Sequence, residues 1–289
     1  MKRYFIASLL FVSVMTASIT AQENTDIFKF TAGNFEITTL SEGQQKSGSS
    51  ILIGATSEII KKYAADGKVP SACNAFLVKT PEKTVLVDAG FGRNLFDNLE
   101  SQNVTAENVD VILLTHMHGD HIGGLLRDGI ITFPNAQLYI AQAEHDYWMN
   151  INSRGGEQAR NVIEAYKSKL HLFTPDDLEN TTNELLSGIH AVAAYGHTPG
   201  HTAYLLKSGN SQFLIWGDLA HAMAIQMPHP EIAVTYDVNP DEAVVARKKI
   251  LEYAAKNKIP VAGMHIAFPA MGNIKTGKVE GYEFEPLSK

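Results

Sequence analysis

The sequence contains only one cysteine, Cys73, and no excess of basic residues. A single cysteine excludes an internal disulfide, so stability has to come from core packing and from any bound metal. We expect Cys73 to be a small buried apolar residue. With 24 basic and 31 acidic residues, the formal net charge is −7, which disfavours binding to nucleic acid or to an anionic membrane surface.

Long apolar runs are scarce, and the only prominent one lies at the N-terminus. A basic start, residues 1–3, precedes a mostly apolar stretch over residues 4–15 and then small and polar residues. This pattern predicts a signal peptide over residues 1–21, cut after Ala21, and hence a periplasmic or secreted protein without a membrane anchor. The apolar stretch is shorter than the roughly 20 residues that span a bilayer, although an uncleaved anchor is the alternative. Loss of Lys2 and Arg3 would change the net charge from −7 to −9.

The rest of the chain, residues 22–289, alternates strand-like and helical patterns with no linker, which predicts a single α/β domain. Strands are predicted at 75–78, 84–88, 109–114, 137–140, 190–195, 203–206, 213–216 and 261–264, and helices at 93–102, 143–149, 157–170 and 240–257. The last helix has strong start signals, with Asn239 at the N-cap, Pro240 at the first position and two acids in the first turn. Two strand-rich halves predict two packed mixed sheets with helices outside.

Residues 41–70 differ from their surroundings. Residues 41–50 are polar and rich in glycine and serine, and residues 58–65 have a helical pattern. The segment is interpreted either as a mobile lid or as an ordinary surface excursion.

The densest chemical signal is Thr-His-Met-His-Gly-Asp-His over residues 115–121, directly after the apolar strand 109–114. Three imidazoles and a carboxylate within six residues match the nitrogen and oxygen ligands of zinc and its neighbours. Further candidate ligands follow later predicted strands: His197 and His201 in Gly-His-Thr-Pro-Gly-His, then Asp218, His221 and His265. Ligands at the ends of several strands predict one metal site assembled across both halves.

This order of motifs closely resembles the metallo-β-lactamase superfamily over about residues 70–270. The resemblance implies a four-layer αββα sandwich with a dinuclear site for two divalent metal ions, zinc above all, at one edge. Carried over by position, the first metal takes His116, His118 and His197. The second takes Asp120, His121 and His265, and Asp218 bridges both. The resemblance also implies a bridging hydroxide as nucleophile, with the catalytic Asp120 orienting it and moving a proton. His201 is expected to support the site as a hydrogen-bond partner.

Within the superfamily, a bridging Asp218 is unusual for enzymes that hydrolyse β-lactams, and the acidic charge disfavours the nucleases. The segments at 115–125, 133–136, 144–148, 217–219, 246–249 and 265–269 resemble the secreted methyl-parathion-hydrolase-like branch, which includes N-acyl-homoserine lactonases. The resemblance therefore implies a small-molecule hydrolase of lactones or esters, of the quorum-quenching type. A phosphotriester hydrolase is the alternative, and a non-catalytic metal-binding protein is an alternative from another class.

The substrate pocket is the least determined part of the site. Apolar and aromatic candidates for its wall are Trp148, Phe268, Phe91, Met223 and Ile225, and His221 is a further candidate. For each of these residues, core packing, or for His221 a plain surface position, is an open alternative. The sequence leaves open the metal identity among zinc, manganese, cobalt and iron, the acyl-chain preference and the oligomeric state, a homodimer included.

Overall fold

The computed structural model describes residues 27–278 and 281–288. The predicted signal peptide, residues 1–21, lies outside these residues. Within them, no helix combines the length and the apolar character that crossing a bilayer requires.

The described residues form strands and helices that alternate along the chain. The strands are β1 (Ile27–Ala32), β2 (Phe35–Gly48), β3 (Leu52–Ile53), β4 (Lys68–Lys79), β5 (Thr84–Val87), β6 (Val111–Leu113), β7 (Leu126–Arg127), β8 (Ile130–Ile131), β9 (Gln137–Ala141), β10 (Leu170–Phe173), β11 (Ile189–Ala193), β12 (Thr202–Ser208), β13 (Ser211–Ile215), β14 (Ala233–Val234), β15 (Val261–Ala262), β16 (Met271–Thr276) and β17 (Tyr282–Pro286). The helices are α1 (Ser57–Tyr63), α2 (Leu95–Ser101), α3 (Gly119–Ile122), α4 (Gln142–Asn150), α5 (Arg154–Tyr166), α6 (Met223–Gln226) and α7 (Pro240–Asn257).

Two mixed sheets form the centre of the domain. The first has the strand order β1-β2-β4-β5-β6-β9-β10, and the second has the order β11-β12-β13-β15-β16-β17. Strands β5, β6, β9 and β10 run parallel, and so do β13 and β15, whereas the remaining neighbours in these sheets are antiparallel. Parallel neighbours bring their carboxyl ends to the same sheet edge, which is where α/β folds place their sites.

Two apolar cores fill the space between the layers of the sandwich. One core lies between the sheets and joins Phe76 and Val87 of the first sheet to Tyr204 and Phe213 of the second. The other lies on the outer face of the first sheet, where helices α2 and α5 pack, for example through Leu99. Ile250, Leu251 and Ala254 of helix α7 belong to the same continuous apolar cluster as the second sheet. The predicted αββα sandwich is confirmed.

Local signals explain the best-predicted elements. Strand β6 is buried on both faces, as its uninterrupted apolar sequence predicts. Helix α7 begins after Asn239, whose side chain accepts a hydrogen bond from the Glu242 N–H at 3.3 Å. It ends at Asn257, and the next residue, Lys258, adopts a left-handed conformation with φ of 53°.

The polar segment at 41–50 differs from the loop-like interpretation. Residues up to Gly48 continue β2 and pair with the first half of β4, from Lys68 onward, after a bulge between Ser41 and Gly43. We call residues 43–48 and 68–73 together the β2–β4 arm. Its glycine and serine content is typical of loops, but backbone hydrogen bonds to the neighbouring strand determine its conformation. Motion of the arm as a lid stays a prediction.

Other differences concern element ends. Helix α5 ends at Tyr166 rather than 170, because Leu170 begins the edge strand β10, which pairs with β9. Strands β1, β2, β16 and β17 were not predicted from the sequence, since their sequences are only partly apolar.

Candidate metal centre

The predicted ligands lie at the carboxyl ends of strands from both sheets. Residues 116–121 follow β6, His197 follows β11, Asp218 follows β13 and His265 follows β15. Strand and loop geometry therefore brings together side chains that are up to 149 positions apart in the sequence. The two sheets meet at this edge, as the strand-end argument predicts.

The side chains form two neighbouring groups that could each hold a metal ion. One group is His116, His118, His197 and Asp218, and the other is Asp120, His121 and His265, while a third combination, Asp218, His221 and His265, overlaps both. Within each group, one ligand atom per residue lies within 4.8 Å of every other. These groups coincide with the two sets of ligands that the resemblance implies. The role of these residues in binding metal stays a prediction.

Asp218 occupies the position between the two groups. Its Oδ2 atom is 3.3 Å from Nε2 of His197 in the first group. The same atom is 3.3 Å from Nε2 of His121 and 2.9 Å from Nε2 of His265 in the second group. A single carboxylate oxygen thus contacts nitrogens of both groups, which is the arrangement that a bridging ligand requires.

Three buried polar atoms at the centre have no hydrogen-bond partner among the described residues: Oδ1 of Asp218, Nε2 of His121 and Nδ1 of His221. A buried polar atom normally has a partner, and one without it calls for an explanation such as an ion. The donor atoms are imidazole nitrogens and carboxylate oxygens, which suit zinc and other first-row divalent ions. The residues therefore fit two divalent metal ions.

Carboxylates behind the centre orient two of the histidines. Asp88, which follows β5, is within 2.7 Å of Nδ1 of His121 and also accepts hydrogen bonds from the backbone and hydroxyl of Thr115. Asp237 is within 2.8 Å of Nδ1 of His197. Each contact leaves Nε2 facing the centre, because a hydrogen bond at one ring nitrogen fixes which nitrogen is free to bind metal.

Backbone groups orient the other side of the centre. Nδ1 of His265 is 2.7 Å from the carbonyl oxygen of Ala72 on β4. The N–H of Asp218 donates to Nε2 of His201 at 2.9 Å, and the opposite nitrogen of His201 bonds to the carbonyl of Ala194. His201 therefore holds the backbone of the central aspartate, in agreement with its expected supporting position.

Burial and neighbouring charges shift the pKa values of the histidines of the first group in different directions. Burial, reinforced by the neighbouring His121, lowers the pKa of His116 well below its ordinary value, and burial lowers the pKa of His118 to about 3. Burial also acts against protonation of His197, but hydrogen bonds to Asp218 and Asp237 outweigh it and raise the pKa to about 9. The rings of His116 and His118 are thus neutral at pH 7, the form that binds metal.

A cavity of about 320 Å³ opens at the centre. It is lined by Gln45, Ser47, Ser71, His118, Gly119, Asp120, His197, Asp218, His221, Tyr236 and His265. Of the six predicted pocket residues, only His221 belongs to this lining, where its Nε2 is 3.2 Å from Oδ2 of Asp218.

The five predicted apolar wall residues lie elsewhere. Trp148 is buried behind His118, with ring centroids 5.4 Å apart, and Ile225 is fully buried in a small core with Val69 and Ile232. None of these five side chains belongs to the lining of this cavity, and their contact with a substrate stays a prediction. Phe91 is 39% exposed, Phe268 packs against the inter-sheet core, and Met223 lines a different cavity.

Several residues of the site were missed. Asp88 ends a predicted strand, Glu144 begins a segment that carries the resemblance, and Asp237 lies shortly before a helix start, but none of the three was named as a site residue. Gln45 and Ser47 were placed in a loop, and only the strand pairing shows that they face the centre.

The fold and the site define a metal-dependent hydrolase. The chain belongs to the metallo-beta-lactamase superfamily, whose family model matches residues 69–258. That match covers every candidate ligand except His265.

Solved structures of related proteins are similar over nearly the whole chain. The hydrolase AbOPH of the beta lactamase superfamily is 28% identical with a TM-score of 0.83, and the match covers 93% of this chain and 99% of AbOPH. AidC, a dizinc quorum-quenching lactonase solved with a product, is 29% identical with a TM-score of 0.80, covering 91% and 98%.

Sequence relatives cover smaller parts. YobT of Bacillus subtilis (strain 168) is 27% identical over 190 residues, which are 63% of this chain and 78% of YobT. The exodeoxyribonuclease WalJ of Streptococcus pneumoniae is 32% identical over 131 residues, under half of either protein.

Proposed function

We propose that the protein is a dinuclear zinc hydrolase that opens lactones or esters, with N-acyl-homoserine lactones as the leading substrate class. The observation that carries the proposal is the contact of Asp218 Oδ2 with histidine nitrogens of both ligand groups. The likeness to AidC at 29% identity supports the lactone substrate. Its dizinc centre and the nitrogen-rich ligand set here support zinc.

Two divalent ions held by these residues would activate a water molecule near neutral pH and polarise the substrate carbonyl. The chain itself supplies ligands, orientation and a proton acceptor. Asp120 lines the cavity with its carboxylate 3.5 Å from Nε2 of His265 and 24% exposed, so it can reach a substrate and solvent. Although burial acts in the opposite direction, the charges of His121 and His265 lower the pKa of Asp120 and keep it ionised as a proton acceptor.

The second candidate, phosphotriester hydrolysis, uses the same activated water against phosphorus in place of carbon. Kinetics on a panel of acyl-homoserine lactones, aryl esters and methyl parathion distinguish the two. We expect the largest kcat/KM for a lactone. A much larger kcat/KM for methyl parathion would show that the protein is a phosphotriester hydrolase and would support the methyl-parathion-hydrolase-like branch.

A non-catalytic metal protein is tested by Asp120→Asn together with metal analysis. We expect the wild-type protein to contain two metal ions and the variant to lose activity by about 10²-fold or more, since it lacks the proton acceptor. A wild-type protein that holds two ions and hydrolyses nothing on the panel would overturn the proposal. Export after cleavage behind Ala21 is part of the same proposal, and N-terminal sequencing of the mature protein tests it.

A further inference from the structure

Polar side chains of the β2–β4 arm line one side of the cavity. Gln45 and Ser71 are direct partners in the antiparallel register, and Ser47 lies two positions further along β2. Because strand side chains alternate between faces, these three residues share the face that looks onto the candidate metal centre. Ser71 is 3% exposed, whereas Gln45 is on the surface, so the row runs from the floor of the cavity to its rim.

The cavity is small, and polar side chains predominate among its lining residues. Its volume of about 320 Å³ is at the lower end of the ~300–1,000 Å³ that ligand sites usually have. No apolar side chain belongs to its lining, where the groups outside the metal centre are hydroxyls, an amide and the phenol of Tyr236. Tyr236 is 49% exposed and lies beside His221, with ring centroids 5.7 Å apart. A substrate bound at the centre therefore meets hydrogen-bonding groups of the arm as well as carbon surface, such as the Tyr236 ring.

We infer that the β2–β4 arm determines specificity by hydrogen bonding to the substituent next to the scissile carbonyl. The enzyme then prefers compact lactones or esters that carry an amide or hydroxyl at that carbon. A site built to hydrogen-bond a substrate group discriminates strongly against an analogue that lacks it, because the site's own polar groups lose their partners. The inference rests on the proposed function and adds to it the chemistry recognised beside the reacting carbon.

The experiment compares two substrates that share one ring. N-butanoyl-homoserine lactone carries an amide next to the carbonyl, and γ-butyrolactone is the same ring without it. We expect the metal-loaded wild-type protein to have a much larger kcat/KM for the first. In the double variant Gln45→Leu/Ser71→Ala, the ratio of the two kcat/KM values should fall about tenfold, with γ-butyrolactone hydrolysis retained, since two hydrogen bonds to the amide are removed.

Lys46 gives a matched control on the same strand. It lies between Gln45 and Ser47, points to the opposite face, and forms an exposed ion pair with Asp66 at 3.5 Å. Lys46→Ala should leave the ratio of kcat/KM values unchanged. Metal content and thermal unfolding of each variant show whether the arm still folds.

Each outcome decides the inference. A wild-type protein that opens γ-butyrolactone as well as the amide-bearing lactone overturns the inference while the proposed function stands. An unchanged ratio in the folded, metal-loaded double variant overturns it as well. If the wild-type protein opens neither lactone, the inference fails together with the lactonase proposal.

Discussion

The hydroxyl of Thr198 donates a 2.6 Å hydrogen bond to Oε2 of Glu144, and this contact joins the two histidine loops. Thr198 directly follows His197, whereas Glu144 lies on α4 and also accepts the N–H of Met117, which separates His116 from His118, at 2.8 Å. The buried carboxylate additionally accepts hydrogen bonds from the side chain of Trp148 and the backbone of Gly200. One side chain therefore fixes the relative position of all three histidines of the first ligand group.

Replacement of Glu144 should weaken the first ligand group selectively. Glu144→Gln keeps the shape but places an NH₂ where one oxygen accepts two hydrogen bonds, so one loop loses its acceptor. We expect a stability loss of about 1–3 kcal/mol and at least tenfold weaker binding of the first metal. Chelator-competition titration of both metals gives the measurement, with the exposed Glu164→Gln as control. Equal weakening of both metals would show that Glu144 has only a general structural role.

Asp88→Asn should disturb the second ligand group. The carboxylate fixes the His121 ring through the 2.7 Å contact with Nδ1, and an amide that presents its NH₂ there favours the wrong tautomer. We expect binding of the second metal to weaken by about 10–100-fold, as is usual when such a partner is lost. Metal titration checks this against Asp128→Asn, an exposed position. Unaltered affinity in Asp88→Asn would contradict the orienting role.

The local sequence indicates which candidate ligands lie together but not which residues line the cavity, for a physical reason. Candidate metal ligands such as His116 and Asp218 belong to a few residue types and follow buried strands, so the local sequence indicates them. The wall depends on which face of a strand points inward. Gln45 and Ser47 face the centre only because of the pairing of β2 with β4 and the bulge after Ser41, and no local pattern determines that register. Aromatic residues such as Trp148 had the expected chemistry but lie in the core.

Tyr166 should make the protein sensitive to alkaline pH. Its hydroxyl is buried and donates to the carbonyl of Leu125, and burial raises its pKa to about 12. Since an unfolded tyrosine ionises near pH 10, the unfolded state releases a proton first, and stability falls as pH rises from about 10 to 12. Denaturant unfolding at pH 9 and 11 should show a smaller loss in Tyr166→Phe than in the wild-type protein. The exposed Tyr236→Phe is the control, and equal losses in all three proteins would refute the prediction.

Asp218→Ala removes the carboxylate that lies close to histidines of both ligand groups. Its Oδ2 lies within 3.6 Å of nitrogens of His116, His121, His197 and His265, so its removal takes a negative charge from both ligand groups at once. Two cations held close together repel each other, and without the shared anion the second ion should bind far more weakly while the first is retained.

We therefore expect the metal content of Asp218→Ala to fall from two ions towards one, with a sharp loss of hydrolysis. Elemental analysis after gel filtration measures the first, and lactone kinetics measure the second. The exposed Asp241→Ala on α7 serves as control. If Asp218→Ala still holds two ions, the aspartate does not bridge them, and its contacts with both groups reflect orientation of the histidines alone.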